Sequence, residues 1–475
     1  MRDAITFYLN GKRQTITGSA AMVTLSRYLR YDVRATGTKI VCEEGDCGAC
    51  TVLIGRRENG ALRYRPINSC IMFLFQLDCA SVVSVEGLAR NGQLTPVQDA
   101  MVRCHGAQCG YCTPGFIMAM AAMYEDRPRA SGLGPREFRA ALTGNLCRCT
   151  GYEPIIKAGL EVRDQPTCEQ MYPSAEMLRE FAAIEREPLR VGGFFKPVEL
   201  KDAIEFKASH PKCVIVQGAT DFGVWCNKRG FTTDAVLSLD GIDGLGELRV
   251  EGGQLRVGGR VTLAQLESFV HDKVPELAQI LDRFGSPQIK NAGTLAGNIA
   301  NASPIADTLP FLYVTDARLE LSGRNGTRTV GISSFYRGYK TLDLAADEII
   351  TRIVVPLPAR ADTLRLYKVS KRSHLDISSF TAAMLMRRSG DRIDSIRIAY
   401  GGVGPMILRL PKTETFLTGK PFSLDTLEDA GAIAKDEITP ISDVRGSRDF
   451  RLQLAENVLK KFYYDVLSTS SVSML

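Results

Sequence analysis

Eight of the thirteen cysteines fall into two groups whose spacing could bind metal. The first group is Cys42, Cys47 and Cys50 in VCEEGDCGAC, followed at a distance by Cys70. A C-x4-C-x2-C triplet with a distant fourth cysteine is the plant-type spacing of 2Fe–2S ligands. A zinc site more commonly uses two C-x2-C-type pairs, and clustered cysteines in a large intracellular chain bind metal more commonly than they form disulfides. The spacing favours an iron–sulfur cluster over zinc or a disulfide staple.

The residues between these cysteines suit the crowding that a cluster imposes. Two irons need four thiolates in a small volume, so three come from one tight loop and the fourth from elsewhere. Gly45 and Gly48 allow unusual backbone dihedrals and can bring backbone N–H groups toward the sulfurs, where they stabilise negative charge.

The second group is Cys109 and Cys112 in QCGYC, with Cys147 and Cys149 in NLCRC. A zinc staple between two turns is the alternative here, because C-x2-C alone favours zinc. C-x1-C is an awkward pair for one tetrahedral ion and suits one iron of a cluster better. Two such clusters in line would pass electrons onward. The other five cysteines show no ligand spacing, and we expect them to be buried, inert thiols: Cys79, Cys104, Cys168, Cys213 and Cys226.

Local signals predict the elements that position both groups. Asn10–Gly11 predicts a hairpin after the strand ITFYL, TVLIG predicts a strand directly after Cys50, and SVVSVEGL closes a β-grasp domain near residue 88. Around the second group, a capping box at Thr95–Gln98, helix starts at Thr113–Pro114 and PREFRAAL, and EPIIKAGLEV predict a four-helix bundle with the cysteines in its turns.

Composition limits the class of protein. The chain has 475 residues, 45% hydrophobic and 24% charged, with a net charge of +6. It has no apolar run of about 18 residues for a membrane helix, no signal peptide, and no basic stripe with interleaved aromatics for nucleic acid. We therefore expect a cytoplasmic protein with neither a membrane nor a nucleic acid as partner.

Two loops in the second half could approach a dinucleotide. No G-x-G-x-x-G follows a strand and no P-loop occurs, so a Rossmann domain is not predicted. In VIVQGATDFG, residues 214–223, a strand runs into small residues whose N–H groups could cup a pyrophosphate. Residues 291–307, NAGTLAGNIANASPIAD, are similarly rich in small and amide residues. Each loop could instead be an ordinary tight turn.

The motifs GTKIVCEEGDCGACTV, GAQCGYCTPGF and NLCRCTGYEPI resemble the iron–sulfur part of the molybdenum hydroxylases. The resemblance covers residues 3 to 163 and implies two 2Fe–2S clusters. It also implies that Gln108, which precedes the first cysteine of the second group, contacts the molybdopterin.

The two small-residue loops resemble the FAD-binding loops of the flavin domain in the same family, which has a vanillyl-alcohol-oxidase-like fold. The resemblance runs from Pro197 to Pro356. The FAD contacts that it implies are Ile215, Val216, Gln217, Gly218, Ala219, Thr220, Asp221, Phe222, Gly223, Phe284 beside the adenine, Thr294, Gly297, Asn298, Asp307, Ile350 and Lys368. Plain core packing is the alternative for Ile350.

The resemblance also places the electron acceptor. Tyr339 corresponds to a residue near the flavin face where NAD+ docks, and residues 367–378 resemble the loop that tunes the reaction of the flavin with NAD+. Oxygen or a quinone is the alternative acceptor, with Tyr339 then a half-buried aromatic.

These inferences define a multidomain α+β chain. The predicted ranges are a ferredoxin-like β-grasp domain at 1–88, a helical 2Fe–2S domain at 89–163, a linker at 164–190, an FAD-binding domain at 191–365 and an α+β C-terminal flavoprotein domain at 366–475.

We expect no molybdenum-cofactor domain in addition to these ranges. The resemblance therefore implies a large partner subunit that holds the molybdenum cofactor, in a heterotetramer of two small and two large subunits.

The fusion of iron–sulfur and flavin modules in this order favours a family member that oxidises hypoxanthine and xanthine to urate with NAD+. Oxidation of an aldehyde, CO or an N-heterocycle is the alternative. A zinc-stapled interaction protein without redox activity is the alternative from a different class.

Overall fold

The computed structural model describes residues 1–126 and 133–472 as two compact units. The first unit comprises Met1–Asp243 with Ser286–Gly293, and the second comprises Gly244–Gly285 with Thr294–Leu475. The predicted domain ranges include residues 127–132 and 473–475, which lie outside the described residues. The predicted boundaries themselves stay a prediction.

The described residues form twenty strands and nineteen α-helices, besides two short 3-10 helices and one short π-helix. The strands are β1 Ala4–Leu9, β2 Lys12–Thr17, β3 Thr51–Glu58, β4 Ala61–Asn68, β5 Ala80–Val83, β6 Leu189–Val191, β7 Phe194–Lys196, β8 Val214–Ile215, β9 Val236–Leu237, β10 Leu248–Glu251, β11 Gln254–Gly258, β12 Arg318–Gly323, β13 Gly326–Gly331, β14 Tyr336–Gly338, β15 Thr341–Leu342, β16 Ile349–Pro356, β17 Asp362–Val369, β18 Phe380–Ser389, β19 Arg392–Gly401 and β20 Leu408–Arg409. The helices are α1 Leu25–Arg27, α2 Val85–Leu88, α3 Pro96–Arg103, α4 Thr113–Ala122, α5 Pro135–Ala141, α6 Glu153–Glu161, α7 Cys168–Met171, α8 Ala175–Ile184, α9 Leu200–Ser209, α10 Phe222–Arg229, α11 Leu263–Val270, α12 Pro275–Asp282, α13 Pro287–Lys290, α14 Leu295–Asn301, α15 Leu309–Val314, α16 Ile332–Phe335, α17 Pro411–Leu417, α18 Leu424–Asp436 and α19 Arg448–Val472.

The first unit begins with a five-stranded sheet in the order β2-β1-β5-β3-β4. Strands β1 and β5 are parallel, whereas β1–β2 and β3–β4 are antiparallel hairpins. Asn10 and Gly11 form the first turn with φ values of 50° and 77°, in the left-handed region that a two-residue hairpin turn requires. The sheet has the β-grasp order, as predicted.

Helices α3 to α6 follow the sheet and match the four predicted helices. The N-terminus of α3 is closed by its capping box, in which the Thr95 N–H donates to Gln98 Oε1 at 3.0 Å. Helix α4 is apolar on all sides, and Phe116, Met118 and Met120 are fully buried among the neighbouring elements. A helix that is apolar all round is stable in water only at the centre of such a bundle.

The predicted linker at 164–190 contains helices α7 and α8 and packs on the first sheet. Met177 and Phe181, four residues apart on one face of α8, are buried. The Tyr8 hydroxyl donates to Glu180 Oε2 at 2.7 Å, and the Tyr172 hydroxyl donates to the Gly87 carbonyl at 2.6 Å. The segment is thus a folded connection rather than an extended tether.

A second sheet of the first unit, β6-β7-β9-β8, is joined to the β-grasp sheet by a buried charge cluster. Asp78 accepts from Arg2 at 2.6 Å and from Lys196, on β7, at 2.5 Å. Burial would raise the pKa of Asp78, but the Arg2 hydrogen bonds and the Lys196 charge outweigh it and lower the pKa to about 2. The charge cluster therefore stays ionised near neutral pH.

The second unit contains a five-stranded sheet in the order β10-β11-β16-β12-β13 and a four-stranded antiparallel sheet, β17-β18-β19-β20. Helices α17 to α19 pack on the four-stranded sheet. Arg451 on α19 is 2% exposed, and its guanidinium binds the carbonyls of Ser379 and Ile441 and the carboxylate of Asp443. Within 1–126 and 133–472, none of the helices is both long and apolar enough to cross a membrane.

Candidate iron–sulfur and flavin sites

The first cysteine set lies at one end of the β3–β4 hairpin. Cys50 directly precedes β3 and Cys70 follows β4 by two residues, and the Thr51–Asn68 pairing of the hairpin brings the two thiols together. The Cys70 thiol interacts with those of Cys50 and Cys42, and the Cys42 thiol interacts with that of Cys47. The structure therefore places the four predicted ligands of the first set close together.

The loop that carries Cys42 and Cys47 is shaped by its glycines. Gly45 and Gly48 have φ values of 79° and 67°, and the Cys47 N–H donates to Cys42 Sγ at 3.4 Å. A Cβ at Gly45 would lie 2.7 Å from Ile71 Cδ1, so the Ile71 side chain would have to shift. Both features predicted for these glycines, left-handed backbone and N–H groups near sulfur, are present.

The ionisation of the four thiols favours a cationic group among them. The neighbouring thiols lower the pKa of Cys42 and of Cys50. The same neighbours raise the pKa of Cys47 and Cys70, because a second thiolate beside the first is repelled. All four can be thiolates together when a metal centre supplies positive charge, so the donor set fits iron.

The second set occupies turns of the helical bundle. Cys109 and Cys112 precede α4, while Cys147 and Cys149 lie between α5 and α6. The Cys149 and Cys109 sulfurs are 3.5 Å apart, and the Cys112 thiol is a neighbour of the Cys147 thiol. Burial, followed by the effect of the Cys147 thiol, raises the pKa of Cys112 to about 12.

The two sets differ in their exposure. Cys47, Cys50 and Cys70 are buried, whereas Cys109 and Cys149 are exposed. No group of three or more His, Cys, Asp or Glu side chains is arranged to hold a single metal ion in the part of the chain that the structure describes. In the second set the thiols neighbour each other in pairs, Cys109 with Cys149 and Cys112 with Cys147.

The loops of the two sets pack directly on each other. The Leu146 N–H, next to Cys147, donates to the Cys47 carbonyl at 3.0 Å, and Asn145 Nδ2 donates to the Gly48 carbonyl at 3.1 Å. A Cβ at Gly115 would lie 2.2 Å from the Gly48 carbonyl oxygen. The sequence contains a glycine at 115 because the backbones of α4 and the first loop are in contact there.

On its other side, the first set contacts the loop predicted to bind the pyrophosphate. A Cβ at Gly223 would lie 2.7 Å from both Cβ and the carbonyl oxygen of Ile71, the neighbour of Cys70. Asn227 on α10 donates to the carbonyls of Glu43 and Cys70 at 2.9 and 2.8 Å. The first set thus lies between the second set and the start of α10.

Residues 215–223 occupy the connection from β8 to α10. The side chains of Val216 and Phe222 are buried in the core of the first unit, and Gln217 Nε2 donates to Asp240 Oδ1 at 2.6 Å. Ala219 has φ of 55°, and a Cβ at Gly218 would lie 2.0 Å from the Ala292 carbonyl oxygen. Three side chains of the predicted contact set therefore support the loop, and its small residues shape the backbone.

The remaining predicted FAD contacts belong to the second unit. Thr294 caps α14 by accepting from the Gly297 N–H at 3.0 Å, and Asn298 Oδ1 accepts from the Thr308 hydroxyl at 2.6 Å. The Ile350 side chain is buried in the main core of this unit, and Phe284 packs against that core. The contact of these residues with the flavin stays a prediction.

Asp307 and Lys368 form a buried ion pair in the second unit. Lys368 Nζ lies 2.6 Å from Asp307 Oδ2, and the Ser378 hydroxyl donates to Asp307 Oδ1 at 2.5 Å. Burial raises the pKa of Asp307, and the Lys368 ammonium and Ser378 hydroxyl counteract the rise. Lys368 lies near the start of the predicted acceptor loop at 367–378 and Ser378 ends it, so Asp307 binds both ends of that loop. Tyr339 is 62% exposed.

Sequence reasoning missed several residues that support these sites. Gln288 is buried and donates to Asn145 Oδ1 at 3.0 Å and to Thr51 Oγ1 at 3.2 Å. In the chain, Asn145 is separated from Gln288 by 143 positions and Thr51 by 237 positions. Asn227 and Ile71 were missed for the same reason. No local spacing signals such contacts, although an amide directly before a cluster motif, such as Asn145, could have been noted.

Four family models match consecutive parts of the chain. They are "2Fe-2S iron-sulfur cluster binding domain" at residues 7–74, "[2Fe-2S] binding domain" at 84–160, "FAD binding domain in molybdopterin dehydrogenase" at 187–358 and "CO dehydrogenase flavoprotein C-terminal domain" at 365–466.

Curated relatives include a xanthine dehydrogenase of Oryza sativa subsp. japonica, 29% identical over 542 residues, and aldehyde oxidase 1 of Rattus norvegicus, 29% identical over 530 residues. Each comparison covers 97% of this chain and 39% of the relative. The chain therefore spans about two fifths of the length of these relatives.

Solved structures share the fold. Quinoline 2-oxidoreductase from Pseudomonas putida 86 matches with a TM-score of 0.54 at 28% identity. Carbon monoxide dehydrogenase from Hydrogenophaga pseudoflava, in a form that lacks the Mo-pyranopterin moiety of the molybdenum cofactor, matches with a TM-score of 0.55 at 26% identity. Each comparison covers 58% of this chain and 96% of the solved chain.

The order of the four domain matches agrees with the two cysteine sets and the two small-residue loops that the structure positions. The chain belongs to the molybdenum hydroxylase family and carries two 2Fe–2S domains and the FAD-binding domain of that family.

Proposed function

We propose that this chain is the iron–sulfur and FAD subunit of a xanthine dehydrogenase, which delivers electrons from a partner's molybdenum cofactor to NAD+. The observation that carries the proposal is the contact between the two cysteine sets. The Leu146 N–H, one residue before Cys147, donates directly to the carbonyl of Cys47 at 3.0 Å. Two separate zinc staples would not need their ligand loops in contact, whereas successive electron carriers do.

The residues assigned to each cofactor follow from their positions. The first set would hold one 2Fe–2S cluster and the second set the other, and the loop at 215–223 would bind the pyrophosphate of FAD. When bound, the clusters supply one-electron transfer, and the flavin collects two electrons for hydride transfer. The chain's own residues bind these groups, orient them and adjust their potentials.

The exposure of the two cysteine sets indicates the direction of the proposed electron path. The second set opens to solvent at Cys109 and Cys149, and Gln108 beside them is exposed. Cys47, Cys50 and Cys70 of the first set are buried, and this set contacts the start of α10 through Ile71. We therefore assign the second set to the partner side of the chain and the first set to the flavin side.

The proposed partner is a large subunit with the molybdenum cofactor, in a heterotetramer of two small and two large subunits. We place the assembly in the cytoplasm, where a reducing environment suits a chain with thirteen free cysteines. The acceptor NAD+ is assigned to the flavin face near Tyr339, whose exposure leaves its ring able to receive a nicotinamide.

A second candidate function is oxidation of an aldehyde, CO or an N-heterocycle by the same electron path. The similarity to an aldehyde oxidase, a carbon monoxide dehydrogenase and a quinoline 2-oxidoreductase favours it. Xanthine dehydrogenase and aldehyde oxidase match nearly the whole chain equally, whereas the carbon monoxide dehydrogenase and the quinoline 2-oxidoreductase match 58% of it, which favours a purine or an aldehyde over CO and quinoline. Substrate choice would belong to the partner.

Turnover of the assembled enzyme tests the function directly. We expect enzyme purified with its partner to reduce NAD+ with hypoxanthine or xanthine faster than with an aldehyde, CO or quinoline, because the fusion of the iron–sulfur and flavin modules in this order favours a purine-oxidising member of the family. Faster turnover with oxygen than with NAD+ under matched purine would contradict the dehydrogenase assignment. A faster rate with one of the other substrates would replace the purine.

Gln108 is expected to lie at the interface with the partner, since it is exposed and directly precedes Cys109. Gln108→Ala should slow cluster reduction by purine about tenfold, the effect of one lost hydrogen bond at a reactive interface. Reduction of the flavin by NADH should not change. Gln93→Ala, at another exposed glutamine of the first unit, is the control. Equal loss of both activities in Gln108→Ala would indicate a folding defect instead.

A further inference from the structure

Cys147 has a side-chain hydroxyl beside its sulfur. Thr150 Oγ1 lies 3.1 Å from Cys147 Sγ, and the Thr150 N–H lies 3.5 Å from the same sulfur. A thiolate bound to iron has no hydrogen to donate, so with a cluster present the Thr150 hydroxyl must be the donor. The ligand sulfur then accepts two hydrogen bonds from one residue.

The surrounding backbone fixes the direction of that hydroxyl. The Tyr152 N–H donates to Thr150 Oγ1 at 3.2 Å. This hydrogen bond occupies one lone pair of the hydroxyl oxygen, so the hydroxyl hydrogen can point at the Cys147 sulfur. A hydroxyl that accepts one hydrogen bond is polarised and donates a stronger one.

Two successive left-handed residues make this arrangement possible. Gly151 and Tyr152 have φ values of 68° and 71°. The Tyr152 side chain turns back so that its hydroxyl accepts from the Cys147 N–H at 3.0 Å, and its ring meets the buried ring of Phe116 edge-on. Left-handed backbone is unfavourable at a tyrosine, and such strain persists where surrounding contacts enforce it.

We propose that Thr150 raises the reduction potential of the second cluster by donating a hydrogen bond to Cys147 Sγ. The inference rests on the proposed function, because it requires a cluster at the second set. Reduction adds one electron to the cluster, and a donor aimed at a ligand sulfur stabilises the added negative charge. Thr150 is a positioning and tuning residue that binds no iron itself.

The first set lacks a contact of this kind among its described hydrogen bonds. Cys42 Sγ accepts from the Cys47 backbone N–H, and Asn68 presents its oxygen, at 3.8 Å, to Cys50 Sγ. An oxygen cannot donate to a thiolate. Substitution of Thr150 should therefore act on one cluster alone.

The test is a redox titration of the cluster-loaded enzyme monitored by electron paramagnetic resonance. Thr150→Val is nearly isosteric and removes the hydroxyl, whereas Thr150→Ser retains it. In Thr150→Val we expect the reduced-to-oxidised ratio of the second cluster at a fixed potential to fall about fivefold, as for the loss of one hydrogen bond. Thr150→Ser should stay within about twofold of the wild type, and the first cluster should not change in either variant.

Three results would overturn the proposal. They are an unchanged potential in Thr150→Val, an equal shift in Thr150→Ser, and loss of iron from Thr150→Val, which would make Thr150 a residue that holds the loop. Absence of iron from the second set of the wild-type protein would instead contradict the proposed function, so the two failures are distinguishable.

Discussion

Replacing Cys147 with serine is expected to remove one iron–sulfur cluster and leave the other intact. Two 2Fe–2S clusters correspond to about four irons and four sulfides per chain, so the variant should contain about two of each. Cys147 is buried, and its thiol contacts that of Cys112. A serine hydroxyl is a poor ligand for iron, and the remaining three thiols cannot complete the set.

Iron analysis and the paramagnetic signals of the reduced protein measure this result. One of two distinct signals should disappear in Cys147→Ser, and purine should no longer reduce the flavin although NADH still does. Cys213→Ser is the matched control, because Cys213 is also buried and lies outside both sets. Zinc in place of iron, or about two irons in the wild type, would contradict the two-cluster proposal.

The cysteine sets were predictable because their geometry is local. Three ligands of the first set lie within nine residues, and C-x2-C and C-x1-C fix the pairs of the second. The helix starts at Thr95–Gln98 and Thr113–Pro114 were likewise predictable from the local sequence, since capping and proline effects depend on neighbours along the chain. Local chemistry of this kind is readable in one sequence.

The contacts that join the sites were not predictable from spacing. Gln288 reaches Asn145 and Thr51 across more than 140 positions, and Gly115 is required by the carbonyl of Gly48 rather than by its own helix. A glycine within an apolar helix signals close packing in general. It does not identify the partner, which depends on how separate elements meet.

The segment at 164–190 shows the opposite case, because its sequence does contain local helix signals. Thr167 accepts from the Gln170 N–H in a capping box, and Met177 and Phe181 have helical spacing. Prolines and charged residues around them led to the prediction of a linker. A short amphipathic helix buries few residues, so its pattern is easily hidden by polar neighbours.

Replacing Gly218 with alanine is expected to weaken FAD binding strongly while the clusters remain. A Cβ at this position would lie 2.0 Å from the Ala292 carbonyl oxygen and 2.8 Å from the Gly293 N. Both neighbours are backbone atoms, so no side-chain rotation can relieve the clash, and the loop at 218–221 must move. A pyrophosphate held by backbone N–H groups depends on the position of that loop.

Flavin and iron content measured on the same sample separate this effect from unfolding. Overpacking of this kind commonly costs enough to raise the apparent Kd for FAD about tenfold or more. Gly331→Ala is the control, because a Cβ there meets no atom within 4 Å and φ is −67°, which alanine adopts freely. If Gly218→Ala kept both its iron and its FAD affinity, the loop at 215–223 would not be the pyrophosphate site. Loss of iron together with flavin would show that Gly218 is needed for the packing of the first unit, since the same loop continues into Gly223 and its contact with Ile71 beside Cys70.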